Sequence, residues 1–254
     1  MPTTRDRINV KGQNRILDSL PRGDQQRLLS LVAKTELGER EVLYRRDEII
    51  RQVYFPLSGM ISMVLSMENG FSIEVGTIGN EGMVGTPLFL GSETSSAYVF
   101  SQVSGEALRM DAEAFREEIG RTPAFARSVG RYTQAIMDQI SQSTACNQLH
   151  SVDKRLCRWL LMTHDRVGQD QFRLTQEFIA KMLGVRRPTV TVVAGLLQRE
   201  RLIAYTRGNI TILDRQGLEA VSCECYEAVR RNLERLLCGN GLRRTKSSGR
   251  VPRS

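Results

Sequence analysis

Arg186, Arg187, Thr189 and Thr191 crowd one short stretch of the chain, flanked by Leu174 to Gly184 on one side and Val190 to Ile203 on the other. A guanidinium can bond O6 and N7 of one guanine together, and hydroxyls hold phosphate oxygens, so the chemistry on offer is recognition of nucleic acid. Such donors serve only if a helix presents them with its apolar side turned away. Thr175 is a good N-cap, Gln176 starts a first helix, and Leu174 and Ile179 stand at the positions of a hydrophobic staple. Ala180 leaves room for a crossing helix, Gly184 supplies a left-handed turn, and Val185 plugs the corner. Pro188 then falls early in a second helix, where its missing N–H costs nothing. That helix is expected to turn Val190, Val193, Leu196 and Leu197 inward and Arg186, Arg187, Thr189 and Thr191 outward. Two short strands follow, Leu202 to Tyr205 and Asn209 to Leu213, around Thr206, Arg207 and Gly208. A helix-turn-helix followed by a hairpin with Arg at its tip is a winged helix, whose second helix enters the major groove of duplex DNA.

Charge agrees with this. Residues 1–147 carry 16 Lys and Arg against 18 Asp and Glu, whereas residues 148–254 carry 20 against 10. The whole excess of +8 is therefore in the second part, where it favours a polyanionic partner through counterion release. Arg243, Arg244, Lys246, Arg250 and Arg253 belong to a Gly- and Ser-rich basic tail, 239–254, that is expected to be disordered.

Enzyme signatures are missing: no phosphate-binding Walker loop, no nucleophile elbow, no paired zinc-protease histidines and no dinucleotide-binding glycine pattern on a strand. Apolar runs such as Val192 to Leu197 are far shorter than the roughly 18 residues of a membrane span, and Met1 to Lys11 has no apolar core, so a cytoplasmic location is expected. Five cysteines, at 146, 157, 223, 225 and 238, form no disulfide framework and read as free thiols. Cys223 and Cys225, on an expected helix from Leu218 to Leu237, would lie on different faces, and burial is the expectation for them rather than metal or redox work. No metal and no cofactor is expected. No cysteine precedes Cys146, which leaves nothing to hold an N-terminal iron–sulfur cluster, and His150 and His164 read as cap or surface residues rather than haem ligands.

The elements that would carry the winged helix are equally readable. Ile16 to Lys34 reads as a broken amphipathic helix with Leu28, Leu29 and Val32 on one face. From Glu36 to Met110 short Val-, Ile- and Tyr-rich runs alternate with turns, and Asn69-Gly70 marks a hairpin, so six to eight strands of a jelly roll or barrel are expected. Asp111 caps a helix reaching Glu118, and Pro123 opens a long one to about Asn147. Its apolar residues Phe125, Val129, Tyr132, Ile136 and Ile140 form one stripe, either packing on the roll or, as favoured here, serving as a dimer seam. A further helix carries Val152, Leu156, Trp159, Leu160 and Leu161.

In this order of parts the chain resembles the Crp/Fnr transcription regulators, from about Leu37 to Leu213, and most specifically from Leu174 to Ile203. The fold class expected is α+β: an N-terminal β-roll of the cyclic-nucleotide-binding type, a long connecting dimer helix and a C-terminal winged helix. The expected divisions are a helical cap at 1–36, the sensor roll at 37–122, the dimer helix and hinge at 123–150, and the DNA-binding domain at 151–238. The resemblance implies a homodimer on a two-fold symmetric stretch of double-stranded DNA, with RNA polymerase as a further partner. It implies that Arg187 reads guanine, that Arg186 reads a base or holds phosphate, and that Thr175, Gln176, Thr189 and Arg207 contact phosphate, with Thr191 beside them. An effector pocket would fall at Gly82, Gly85 and Thr86, then Ser95, Ser96 and Ala97. There the chain departs from the family: Thr86 replaces the ribose-binding Glu and Ser95 the phosphate-pairing Arg, so cAMP is not expected to bind. The alternative is a ligand-binding regulatory module that acts on a protein partner without DNA.

Overall fold

The computed structural model describes residues 13 to 237. The basic tail and the first residues of the expected cap lie outside them.

Asn14 starts the fold by serving two elements at once. Its Oδ1 accepts from the Leu17 N–H, which caps α1 (Arg15–Asp18), while its Nδ2 donates to the carbonyls of Pro56 and Gly82, each at 2.9 Å. After α2 (Arg22–Ser30) the chain turns into β1 (Val32–Leu37). The expected helix to Lys34 is thus corrected: Val32 to Lys34 extend and pair antiparallel with β7 (Gly105–Asp111), Val32 opposite Met110. Their ladder partner lies far along the sequence, and local periodicity carries no trace of it.

Seven strands build the roll. One sheet has the order β1-β7-β3, with β3 at Gln52–Pro56. The other has the order β2-β6-β4-β5, with β2 at Val42–Tyr44, β4 at Met60–Ser66, β5 at Ser72–Ile78 and β6 at Tyr98–Val103. The turn joining β4 to β5 is closed by Met67 N–H donating to the Phe71 carbonyl, and Gly70 takes φ of 81°. A short helix, α3 (Thr86–Phe89), interrupts the strands. Then come α4 (Ala112–Arg121) and α5 (Pro123–Leu149). Phe125 of α5 meets Phe115 edge-on at 5.7 Å and tilts against Phe55 at 6.1 Å, in the middle of the roll's core.

This placement corrects the favoured reading of the α5 stripe. Phe125, Val129, Tyr132 and Ile136 are buried in the core of the chain's own roll, and Ile140 packs against it. They are not a free seam; a second copy of α5 would have to meet the opposite face, where Arg127, Gln134, Met137, Ser141 and Thr144 are exposed.

The second half opens with α6 (Val152–Val167), ended by Gly168 in the left-handed conformation at φ 67°. β8 (Gln171–Arg173), α7 (Gln176–Leu183), α8 (Arg187–Arg199), β9 (Ile203–Thr206) and β10 (Asn209–Ile212) follow, with strand order β8-β10-β9. The expected helix from Leu218 to Leu237 is two helices, α9 (Arg215–Val221) and α10 (Cys225–Leu237). The break at Ser222 to Glu224 lets Cys223 and Cys225 point into one buried cluster with Cys146, rather than to different faces. α10 lies along α5, and its Leu237 packs against the roll's core.

Polar and aromatic contacts join the two halves. Buried Glu74 of β5 accepts from Trp159 Nε1 of α6 at 2.7 Å, and Arg166 of α6 meets Glu81 of the roll at 2.7 Å with both side chains buried. Phe100 packs edge-on against Phe178 at 6.1 Å, and Ile73 reaches the Gly184 turn.

Candidate nucleic-acid interface

The first helix of the motif is set by its ends. Thr175 Oγ1 accepts from the Phe178 N–H at 3.2 Å, Leu174 and Ile179 are buried beneath it, and Gly184 adopts φ 63°, ψ 39°. Arg186 is the extended residue before α8, and Pro188 occupies its first turn. Arg186, Arg187, Thr189 and Thr191 are all exposed, while Val190 and Val193 are buried under them. Leu197 is buried as expected, but Leu196 is 40% exposed: the inward stripe is Val190, Val193, Ala194 and Leu197, at the i, i+3, i+4 and i+7 spacing, and Leu196 falls at its margin.

The wing is a two-residue hairpin. Arg207 and Gly208 both take positive φ, 50° and 82°, which suits the right-handed twist of β9 and β10. Tyr205 ties the wing to the motif, since its N–H donates to Gln198 Oε1 and its hydroxyl donates to the Leu174 carbonyl at 2.8 Å. Burial raises this phenol's pKa, with the Arg187 guanidinium pulling the other way.

Thr175 and Gln176 begin α7 and are half-buried, and Gln176 Oε1 accepts from the Thr191 hydroxyl at 2.7 Å, so Gln176 and Thr191 hold each other. Arg173, not singled out from the sequence, lies opposite Asn209 in the β8–β10 ladder and is exposed next to the wing. Its signal is the Gln171-Phe172-Arg173 alternation with Phe172 inward, too short to mark a strand by itself. Among the described residues Arg173, Arg186, Arg187 and Arg207 form no ion pair within 4.0 Å, unlike Arg27, Arg116 and Arg215, which each meet a carboxylate. A cluster of uncommitted guanidinium groups around one helix end and one hairpin can neutralise phosphates and reach base edges together.

In the roll, Gly82, Gly85, Ser95 and Ala97 of the expected effector residues are buried. A Cβ on Gly82 would fall 2.1 Å from the Tyr132 ring, and one on Gly85, at φ 122°, would fall 2.5 Å from Val53. Ser95 is buried and turns back on its own chain, its hydroxyl bonded to the N–H and the carbonyl of Ala97. Thr86 opens α3 half-buried, while Ser96 is exposed.

Two family models match the chain: the cyclic nucleotide-binding domain over residues 34–122 and the Crp-like helix-turn-helix domain over residues 154–221. The chain belongs to the Crp/Fnr family. Solved structures agree in fold. A protein assigned to the Crp/Fnr regulators of Eubacterium rectale superposes with TM-score 0.65 at 18% identity, covering 81% of this chain and 96% of its own. A CRP-family transcriptional regulator of Thermus thermophilus gives 0.63 at 21% identity over 74% and 96%. The c-di-GMP-responsive global regulator CLP of Xanthomonas campestris gives 0.62 at 17% identity over 76% and 99%. No curated protein matches the sequence.

As a Crp/Fnr chain, the molecule combines a cyclic-nucleotide-binding-type roll, a long helix and a helix-turn-helix of the DNA-binding type, and its family consists of transcription regulators rather than enzymes. Among the described residues, no helix is long and apolar enough to cross a membrane.

Proposed function

We propose that this Crp/Fnr chain is a sequence-specific regulator that binds a two-fold symmetric operator as a homodimer. The observation that carries this is the exposed set Arg173, Arg186, Arg187 and Arg207, without ion pairs among the described residues and gathered at the N-terminal end of α8 and the wing. Arg187 is the guanine reader; Arg186 reads a base or holds phosphate; Thr175, Gln176, Thr189, Thr191 and Arg207 position the backbone. The dimer rests on the family's habit, and α5 would contribute the face bearing Met137 rather than the buried stripe. Residues 37–122 form the sensing unit, 123–150 the connection and 151–238 the DNA-binding unit, with action in the cytoplasm and RNA polymerase as a further partner.

The roll, on this proposal, does not take cAMP. Supporting this, Ser95 stands where the family's phosphate-pairing Arg would be and is satisfied by Ala97, Thr86 stands for the ribose-binding Glu, and the Tyr132 ring fills the space beside Gly82. A buried phosphate there would lack its bidentate cationic partner.

Selection of bound duplexes from a random DNA pool at physiological salt, without added ligand, tests the proposal. An enriched inverted repeat, with half-sites about one helical turn apart, is the expected result. Salt-sensitive retention without enrichment would overturn sequence-specific binding by the unliganded chain, and no retention at all would favour a module acting on a protein partner.

A further inference from the structure

At the end of α5 the chain brings four soft or borderline donors together from two distant segments. Cys146 and His150 stand four residues apart on one face of the helix's last turn and its cap, and Cys223 and Cys225 flank the start of α10. The three sulfurs and one imidazole nitrogen all lie within 4.8 Å of one another. Cys146 Sγ is 3.5 Å from Cys223 Sγ, and Cys225 Sγ is 3.5 Å from His150 Nδ1. Tetrahedral Zn2+ with bonds of about 2.3 Å to sulfur and about 2.05 Å to nitrogen needs edges of about 3.8 Å between sulfurs and about 3.6 Å from sulfur to nitrogen. The Cys146–Cys223 and Cys225–His150 edges are close to those values.

We propose that Cys146, His150, Cys223 and Cys225 form a closed structural zinc site that fastens the C-terminal helix α10 to the hinge end of α5. The surroundings are those a thiolate-ligated ion requires. Glu224 Oε1 lies 3.3 Å from His150 Nε2, so the ring donates its Nε2–H to that carboxylate and presents the Nδ1 lone pair to the centre. Gln142 Nε2 donates to Cys225 Sγ at 3.0 Å, and the backbone N–H of Cys225 donates to Cys223. Zn2+ displaces the three thiol protons to solvent, and three thiolates, one neutral imidazole and the ion leave a centre of net charge −1.

That charge answers an imbalance in the structure. Arg155 and Arg158 are both buried on the adjoining α6, each with an Nε that has no hydrogen-bond partner, and neither forms an ion pair among the described residues. Both guanidinium groups act electrostatically on Cys146, while Glu74, the carboxylate that Arg158 also influences, is bonded to Ser62 and Trp159. Buried cations need a counter-charge, and an anionic zinc–thiolate centre next to them supplies one. All three cysteines are buried and all four positions are filled by protein, so the site has no open position for substrate and is structural rather than catalytic.

The test uses the full chain, purified under reducing conditions without chelator. Elemental analysis is expected to find about one zinc per chain, and metal-stripped protein is expected to take up Co2+ with the intense visible bands of tetrahedral thiolate ligation. Cys225→Ser is expected to abolish stoichiometric zinc, and Glu224→Gln, altering an exposed residue outside the ligand set, to weaken Zn2+ affinity by about tenfold or more in a chelator competition. Wild-type protein that holds no zinc and shows no tetrahedral Co2+ spectrum would overturn the proposal. So would stoichiometric iron with acid-labile sulfide, or a Cys146–Cys223 disulfide in freshly purified protein. Unchanged affinity in Glu224→Gln would remove the carboxylate's assigned part.

Discussion

Arg166 in α6 and Arg187 in α8 carry the same guanidinium into opposite surroundings. Arg166 is buried and bonded to Glu81, Gln139 and the carbonyls of Met162 and Thr77, whereas Arg187 is exposed and makes no ion pair among the described residues. The seam between the halves uses its charges internally; the outer edge of the winged helix leaves them for another molecule. Composition alone counts both kinds as positive charge. Only their partners separate a residue that holds the fold from one available to bind.

Removing the seam cation should have the largest effect. Arg166→Ala leaves Glu81 buried without its partner and is expected to lower unfolding free energy by about 3–5 kcal/mol in urea melts, with base preference on DNA unchanged. A loss under about 1 kcal/mol would break the distinction between the two regions. Next comes a pH effect at the same seam. Burial raises the Glu74 carboxyl from its ordinary 4.5 to about 7, against the pull of Ser62, Trp159 and the nearby Arg158 and Arg166. The folded chain therefore binds more protons than the unfolded one in that interval. Its contribution is full below about pH 4.5, is lost as pH rises to about 7, and is flat above. Glu74→Gln should flatten that part of the pH–stability curve, whose amplitude is at most about 3 kcal/mol. The smallest change belongs to the edge: Arg187→Ala is expected to cost about 1–3 kcal/mol of binding at one operator position, measured by competition among single-base variants, with stability within about 0.5 kcal/mol of the parent. Equal loss on all sequences would make Arg187 a phosphate contact.

The helix-turn-helix is legible in the sequence because its information is local. Thr175, Ala180, Gly184 and Pro188 act within a turn or two of themselves, and each does in the fold what its type allows. The roll's strands are legible as a texture, but Val32 to Lys34 are not, because a strand's identity depends on a partner, here β7, that the local pattern does not contain. The stripe on α5 is legible and its facing is not: periodicity says that a helix has an apolar side without saying whether its own chain or another covers it. Cys223 and Cys225 straddle the start of a helix that the pattern reads as continuous, and their convergence with Cys146 and His150 depends on a tertiary contact across 75 residues or more. Gly82 offers no hint of the Tyr132 ring beside it.

The packing of α10 along α5 also fixes an order in time. His150 and Cys225 are 75 residues apart, so at about 5–20 residues per second a ribosome makes the second about 4–15 s after the first. During that interval the roll and α5 gain their partners on α6 and α7, among them Trp159, Arg166 and Phe178, while α10 is still to come. Of the contacts between the halves, that of α10 with the end of α5 is consequently the late one, and a translation product that stops before Cys225 would carry a joined roll and winged helix on an unfinished hinge.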